Sequence, residues 1–416
     1  MALSNADHRT CLVSPFPTRH GAFHVLDGFD EWHDTGRGGF ERAHEVAPDA
    51  ERWLDDHAAE DDWYLHVNFW DPHGPYDTPL EYGNPFADEH APEWLDEETI
   101  AAQYESYGPH SAHDVRRWTD PGGGHPDWFD DAAIERMPEE IDSREAFGEW
   151  IDGYDVGIHY MDDHIDRLLD RLREAGVRED TLIVLSADHG ENLGEQNVYG
   201  DHMLADHWTT CVPLIVSGPG VAPGVDDGLR YDLDVPPTLL ELAGGDVPAG
   251  WDGESFAGAL ADGSVVTDAG REFLVTGQGA WTCQRGIRWD DWLLLETYHD
   301  GWQAFDRVEL YDLTDDPHET TYLAADHEDA VEHGLSLLER WYADRQLDAA
   351  TGRNGGNPDA PSGLVDPLFK EIRDGGPTYL RGEREAYLET LRETDREAAA
   401  ERIERFDGTV PSETNR

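Results

Sequence analysis

A chain of 416 residues is long for one domain and accommodates one large domain with a smaller one. It carries 91 Asp and Glu against 30 Lys and Arg, for a net charge of −61, with Lys370 the single lysine. No basic stripe exists to neutralise phosphates, which excludes nucleic-acid binding, and 15 Trp, 15 Tyr and 13 Phe exclude a disordered acidic chain.

The acidity is expected to be an adaptation to concentrated salt, which screens self-repulsion, rather than the mark of a cationic partner. Cys11, Cys211 and Cys283 are too far apart for a disulfide framework or a zinc motif, and read as small buried hydrophobes. No apolar run reaches the roughly 18 residues of a membrane span. The polar start from Met1 to Asp7 is not a signal peptide, which gives a cytoplasmic expectation. Nothing in the sequence speaks to oligomeric state.

Thr10 to Ser14 reads as a strand ended by Pro15 and Pro17. A helix is expected over 47–57, with Pro48 in its first turn and Ala50, Trp53 and Leu54 on one face. "WYLHVNFWDP", Trp63 to Pro72, is a strand closed by a turn. Residues 81–140 form a long turn-rich insertion, of a length usually reserved for function. Ala146 to Ala175 has apolar residues at helical spacing, with Gly176 placed to end the helix.

The run Leu182-Ile183-Val184-Leu185 is a buried strand that stops at Ser186-Ala187-Asp188-His189-Gly190. "CVPLIVSGPG" is another strand, and "DLDVPPTLLELAG" a helix with prolines in its first turn. Strands alternating with helices predict an α/β fold with a mainly parallel sheet sandwiched by helices. Beyond residue 263 short alternating strands and a helix around Leu335 to Tyr342 predict a smaller α+β antiparallel subdomain. The expected division is 1–262, 263–350, and a linker with a charged helical tail over 351–416, anchored by Tyr387, Leu388 and Leu391.

Ligands gather at the carboxyl ends of strands in parallel sheets. Asp188 and His189 stand at one such end, Asp71 and His73 at another, and Asp201-His202 on the loop that follows. Carboxylates suit hard divalent cations, and imidazoles shift the preference toward transition metals. One Asp-His-Gly is a weak signal; three such clusters point to a metal or anion site.

Four segments in this order resemble the sulfatases of the alkaline-phosphatase superfamily. They are "WYLHVNFWDPHGPYDTP" from Trp63, "MDDHIDRLLDRLREAGVREDTLIVLSADHGENLGE" from Met161, "VPLIVSGPGV" with "DLDVPPTLLELAG", and "VELYDLTDDPHETTYLA" from Val308. The resemblance implies an alkaline-phosphatase-like fold and hydrolysis of a sulfate ester of a small molecule or glycan. It implies a divalent metal, Ca²⁺ first with Mg²⁺ or Mn²⁺ as alternatives, on Asp188 and His189. His73 would contact the sulfate or the leaving oxygen as a catalytic residue. His202 would do so where relatives often carry Lys nearby. Arg19, with His20, is expected to face the site, and Arg116 and Trp118 of the insertion to serve as anion clamp and stacking platform.

Such relatives also carry a Cys or Ser, within Cys/Ser-x-Pro/Ala-x-Arg, that becomes formylglycine. Neither Cys11 nor Cys211 has that context, and no upstream strand ends in Asp-Asp. The resemblance therefore implies an absent N-terminal segment, and no turnover by the chain as written. Two further readings stand open: a phosphodiesterase or phosphonate hydrolase of the same superfamily, and a non-catalytic truncated paralogue.

Overall fold

Strand β1 (Arg9–Val13) buries Cys11 and Val13 on one face and Leu12 on the other, the two-residue period of a pleated strand. The computed structural model describes residues 2–5, 7–36, 41–116, 134–262, 270–351, 366–406 and 408–410. In it β1 pairs in parallel with β2 (Glu31–His33) and with β3 (Trp63–Val67), setting Cys11 opposite both Glu31 and Leu65. Helix α1 (Ala2–Asn5) precedes this sheet, and α2 (Phe16–His20) follows β1, closed by Gly21 in the left-handed region at φ 59°.

Helix α3 (Ala43–His57) begins a turn earlier than its apolar pattern suggests. Glu45 accepts the Arg42 N–H at 3.2 Å, and the buried Asp71 carboxylate accepts the Ala43 N–H at 2.7 Å. Pro48 therefore sits in the second turn rather than the first. The insertion holds a helix that was not foreseen, α4 (Glu97–Tyr104), capped by Asp96. Helix α5 (Arg144–Ala175) starts at the Ser143 cap and ends at the left-handed Gly176. Val46, Ala50, Trp53 and Leu54 of α3 and Leu168, Leu169 and Leu172 of α5 pack with Cys11, Val13 and Leu65 into one cluster.

Strand β4 (Ile183–Ser186) lies against the same cluster through Ile183 and pairs antiparallel with β5 (Leu214–Ser217). Among the described residues the parallel ladder is thus the three-stranded β2-β1-β3, and β4-β5 forms a separate ladder. A parallel return needs a crossover long enough to cross the sheet face. The connection from β4 to β5 carries a 3-10 turn (Glu195–Asn197) and the one-turn α6 (His207–Thr210), with no long crossover helix, and folds over the strand ends instead. Helices α7 (Val235–Leu242) and α8 (Ala257–Asp262) follow, α7 with its prolines in the first turn as expected.

A four-stranded sheet follows, wholly antiparallel, in the order β6 (Leu274–Gln278), β7 (Cys283–Trp289), β8 (Trp292–His299), β9 (Val308–Asp312). Helix α9 (Glu328–Thr351) covers one face through Leu337 and Leu338 against Ile287, Leu294 and Leu310. Most of the expected linker lies outside the described residues. The tail helices α10 (Pro367–Arg373), α11 (Arg384–Glu393) and α12 (Glu397–Arg405) are docked firmly. Tyr387, Leu388, Leu391 and Ile403 share a buried cluster with Val198, Met203, Leu204, Trp281 and Trp302. Each such apolar side chain contributes about 1.5–3 kcal/mol. Arg396 adds a bidentate pair to buried Asp114 at 2.7 and 2.8 Å.

Cys11 and Cys283 are buried as expected, and burial pushes both thiols up to about 12. Cys211 departs from that reading: its side chain is exposed, because it follows the last turn of α6 rather than entering β5.

Candidate active site

Three histidines from three separate segments meet beyond the ends of β3 and β4. His73 follows β3 in a turn closed by its N–H to the Trp70 carbonyl at 3.0 Å. That turn sets residues three apart side by side, and the His73 ring stacks on Trp70 with centroids 4.0 Å apart. The Arg19 guanidinium lies 3.1 Å from the Trp70 ring centroid. His189 follows β4, and its ring stacks on His202 at 4.0 Å and 14°. His73 approaches both edge-on, at 5.6 and 6.2 Å. One ligand nitrogen from each of the three lies within 4.8 Å of the others.

The loop that bears His189 and His202 is held from below and behind. Gly190 donates to the Thr209 carbonyl at 2.8 Å, and a Cβ there would collide with the Trp208 carbonyl oxygen. Buried Asn192, Asp206 and Thr209 form a closed polar network beneath it. Asn192 also donates to the Asp201 carbonyl at 3.3 Å, and Asp201 itself adopts φ 66°. The antiparallel sheet grips the rest: Gln278 donates to the His202 carbonyl, Thr282 to the Met203 carbonyl, and Gln284 accepts from Ala205. Glu319, from the segment after β9, accepts the His207 N–H at 2.8 Å. The antiparallel sheet therefore helps position His202.

The electrostatics of the cluster are uneven. Burial pushes His73 down to about 3, aided by Arg19 and His189 and opposed by Asp201 and the Gly74 carbonyl. Burial acts against a charge on His202 too, but contact of its Nδ1 with Asp201 Oδ1 outweighs this and raises it. Burial would also raise Asp201; His202, His110 and His73 outweigh it and hold this carboxylate well below the usual range. Arg19 is pushed down to about 9 by burial. Glu191 is buried and pushed up to about 8 by desolvation, with Tyr76 donating to its Oε1 at 2.6 Å. The result is a cluster in which burial favours the neutral form of His73 while Asp201 favours the charged form of His202, beside an Arg on an aromatic plate. Such a set can receive an anion or a metal ion.

Residues 13–245 match the sulfatase family model, more than half of the chain, and residues 194–338 match the model of the N-sulphoglucosamine sulphohydrolase C-terminal region. The chain belongs to the sulfatase family. It is 29% identical over 267 residues to the choline-sulfatase of Rhizobium meliloti strain 1021, covering 63% of this chain and 46% of that one. It is 27% identical over 208 residues to the multifunctional alkaline phosphatase superfamily protein PehA of Trinickia caryophylli, covering 48% and 38%. The chain thus spans less than half the length of these curated relatives. Its fold is shared, at 19% identity and a TM-score of 0.63, with BT4656 in complex with its substrate D-glucosamine-2-N,6-O-disulfate, over 82% of this chain and 80% of that one. The phosphonate monoester hydrolase of Agrobacterium radiobacter shares it at 19% identity and a TM-score of 0.54, over 83% and 79%.

In this sulfatase-family chain the sequence-derived candidates separate. His73, His189 and His202 come together. Asp188 adjoins them, its Oδ1 3.9 Å from His189 Nε2, but its carboxylate is 69% exposed. Asp71 turns away to cap α3. Arg19 sits behind Trp70, and His20 lies within electrostatic reach of Asp188 and His202. Arg116 donates to the carbonyls of Ile134, Met137 and Pro138, so its guanidinium ties the insertion to itself instead of presenting a free anion clamp. Trp118 lies outside the described residues.

Sequence reasoning missed Trp70, Glu191 and His110. The Trp70–His73 spacing in a turn was the available signal for the first. Buried His110, at φ 56°, sits with Nε2 3.8 Å from Asp201 Oδ2 and edge-on to Trp281. Only tertiary contact reveals that role. Among the described residues no helix is long and apolar enough to cross a membrane.

Proposed function

We propose that this chain serves a sulfuric-ester hydrolase acting on a sulfated carbohydrate or small molecule with the help of a divalent metal. The observation that carries the reading is the convergence of His73, His189 and His202, with Arg19 behind Trp70, inside the span matched by the sulfatase family model. A sulfate monoester presents a single negative charge spread over its oxygens, which cationic and N–H donors neutralise. Asp188 and His189 are the proposed metal-facing pair, and a divalent ion there would add its charge to that neutralisation. His73 and His202 are proposed to face the ester, His202 as the cationic donor and His73 at the leaving oxygen. Arg19 supplies longer-range positive charge. The glycan preference draws on relatives such as the N-acetylglucosamine-6-O-sulfatase of Bacteroides thetaiotaomicron, 26% identical over 181 residues.

Ester recognition is what these residues supply by themselves, so binding is the test. The full chain is titrated calorimetrically with choline sulfate, N-acetylglucosamine 6-sulfate and a phosphonate monoester. The reading expects a sulfate ester to bind at least about tenfold more tightly than the phosphonate. It also expects His202→Ala to lose about 10- to 100-fold, the worth of one charge-assisted hydrogen bond. Preference for the phosphonate would replace it with the phosphonate-hydrolase reading. Absence of binding to all three would leave a non-catalytic paralogue.

A further inference from the structure

We propose that Tyr379, carried by the tail, is a specificity-determining residue of the imidazole site, against whose ring the pyranose of a sulfated sugar packs. The inference rests on the ester reading above and adds the part of the substrate that lies beyond the sulfate. Tyr379 falls outside the spans matched by both family models, so neither model accounts for it.

The local sequence fixes where Tyr379 stands. The chain leaves α10 through Gly375 and Gly376, at φ 113° and 99°, a region that favours glycine, and the Gly376 N–H returns to the Glu371 carbonyl at 2.9 Å. Pro377 then precedes a one-turn 3-10 helix (Thr378–Leu380), whose Leu380 is buried in the tail cluster. The N–H groups of Thr378 and Tyr379 donate to the carbonyls of Gly279 and Ala280 at 3.3 and 2.9 Å. Gly279 and Ala280 belong to the turn between β6 and β7. Gln278, at the start of that turn, accepts their N–H groups at 2.8 and 2.7 Å, while its amide nitrogen donates to the His202 carbonyl. The same turn therefore holds both His202 and Tyr379.

Two lines of contact lead from the imidazoles to this ring. On one, His202 contacts Asp201, and His110 Nε2 lies 3.8 Å from that carboxylate. Trp281 stands edge-on to His110 at 4.9 Å, and Tyr379 lies 5.2 Å from Trp281. On the other, His73 stacks on Trp70 and Arg19 lies over Trp70. Tyr379 is within electrostatic reach of Arg19, ahead of Asp201, Glu41 and Asp77. The lines close on Tyr379, which puts it at the rim of the site. Trp281 is 1% exposed and backs the rim, whereas Tyr379 is 42% exposed and presents ring surface. Tyrosine offers a large apolar face with a polar tip, at the low conformational cost of two side-chain torsions. The C–H face of a pyranose suits such a ring. The ammonium of choline suits it less, because it would share the rim with the Arg19 cation.

The test is calorimetry on the full chain in constant molar salt, with inorganic sulfate, N-acetylglucosamine 6-sulfate and choline sulfate. Wild type should bind the sugar ester about tenfold more tightly than inorganic sulfate, and more tightly than choline sulfate. Tyr379→Ala keeps the backbone N–H on Ala280. It should lose about three- to tenfold for the sugar ester and stay within about twofold of wild type for inorganic sulfate. Tyr379→Phe keeps the ring and should hold the sugar ester within about twofold of wild type. Equal loss of sugar ester and inorganic sulfate in Tyr379→Ala would make the residue a support for Arg19, and unchanged sugar affinity would place it outside the site. Either result overturns the inference and leaves the ester reading standing. So does a loss in Tyr379→Phe as large as in Tyr379→Ala, a Tyr379→Ala chain without a thermal transition, or tighter binding of choline sulfate than of the sugar ester. Failure of the wild type to bind either ester would overturn the ester reading, and the inference with it.

Discussion

Glu191 follows the Asp-His-Gly turn and carries a sharp pH signature. Its carboxyl is buried, accepts the Tyr76 hydroxyl at 2.6 Å, and is pushed up from 4.5 to about 8 by desolvation. The folded chain therefore keeps a proton that the unfolded chain releases above 4.5. The associated stability is fully present below 4.5 and is lost as the pH rises toward about 8. At 1.36 kcal/mol per pH unit the whole interval is worth about 5 kcal/mol, an upper bound because side chains and water relax around the ion. Glu191→Gln removes the ionisation and keeps an oxygen for Tyr76. Other buried acids, Glu309 among them, also titrate, so the quantity to read is the difference between wild type and variant. Urea midpoints at several pH values in constant molar salt give it. Wild type should lose stability relative to Glu191→Gln by about 1 kcal/mol per pH unit between about pH 5 and pH 8. Parallel curves would refute a buried, proton-retaining Glu191.

Arg396→Ala leaves the Asp114 carboxylate buried without its bidentate partner, and should cost about 3–5 kcal/mol. Limited proteolysis should then cut the tail helices before the rest of the chain, whereas uniform resistance would contradict the docking described. Gly190→Ala should destabilise by about 2 kcal/mol or more, since the added carbon meets backbone rather than a movable side chain; a thermal midpoint equal to wild type would show that the loop can yield. With a net charge of −61, the thermal midpoint should rise steeply between dilute and molar KCl as repulsion is screened. A flat salt profile would argue against the salt-adaptation reading of the acidity.

His73 and His189 were legible because they follow recognisable strands, whereas His202 lies on the loop after β4. A run such as Leu182 to Leu185 that stops at Asp188-His189-Gly190 advertises a strand end, and Trp63 to Val67 does the same for His73. Gly190 was legible as a turn residue, but not its cause, the Trp208 carbonyl packed against it. The antiparallel β4–β5 pairing was hidden because alternation of strand and helix reports layers, not strand direction. The start of α3 was misplaced because its cap comes partly from Asp71, 28 residues away. Arg116 looked like a free cation, and only the folded insertion shows the carbonyls that hold it. The tail anchors Tyr387, Leu388 and Leu391 were legible as its few apolar residues, but not the surface they meet, which is assembled from distant segments.

The proposed function requires a sulfate ester to bind at the imidazole cluster. Selective ¹³C labelling of the histidine rings gives one resonance for each, assigned by single substitutions. Titration with N-acetylglucosamine 6-sulfate or choline sulfate should shift His73, His189 and His202 together along one saturable curve, and leave His33 and His318 in place. Movement of distant histidines with the cluster unperturbed at saturation would contradict it.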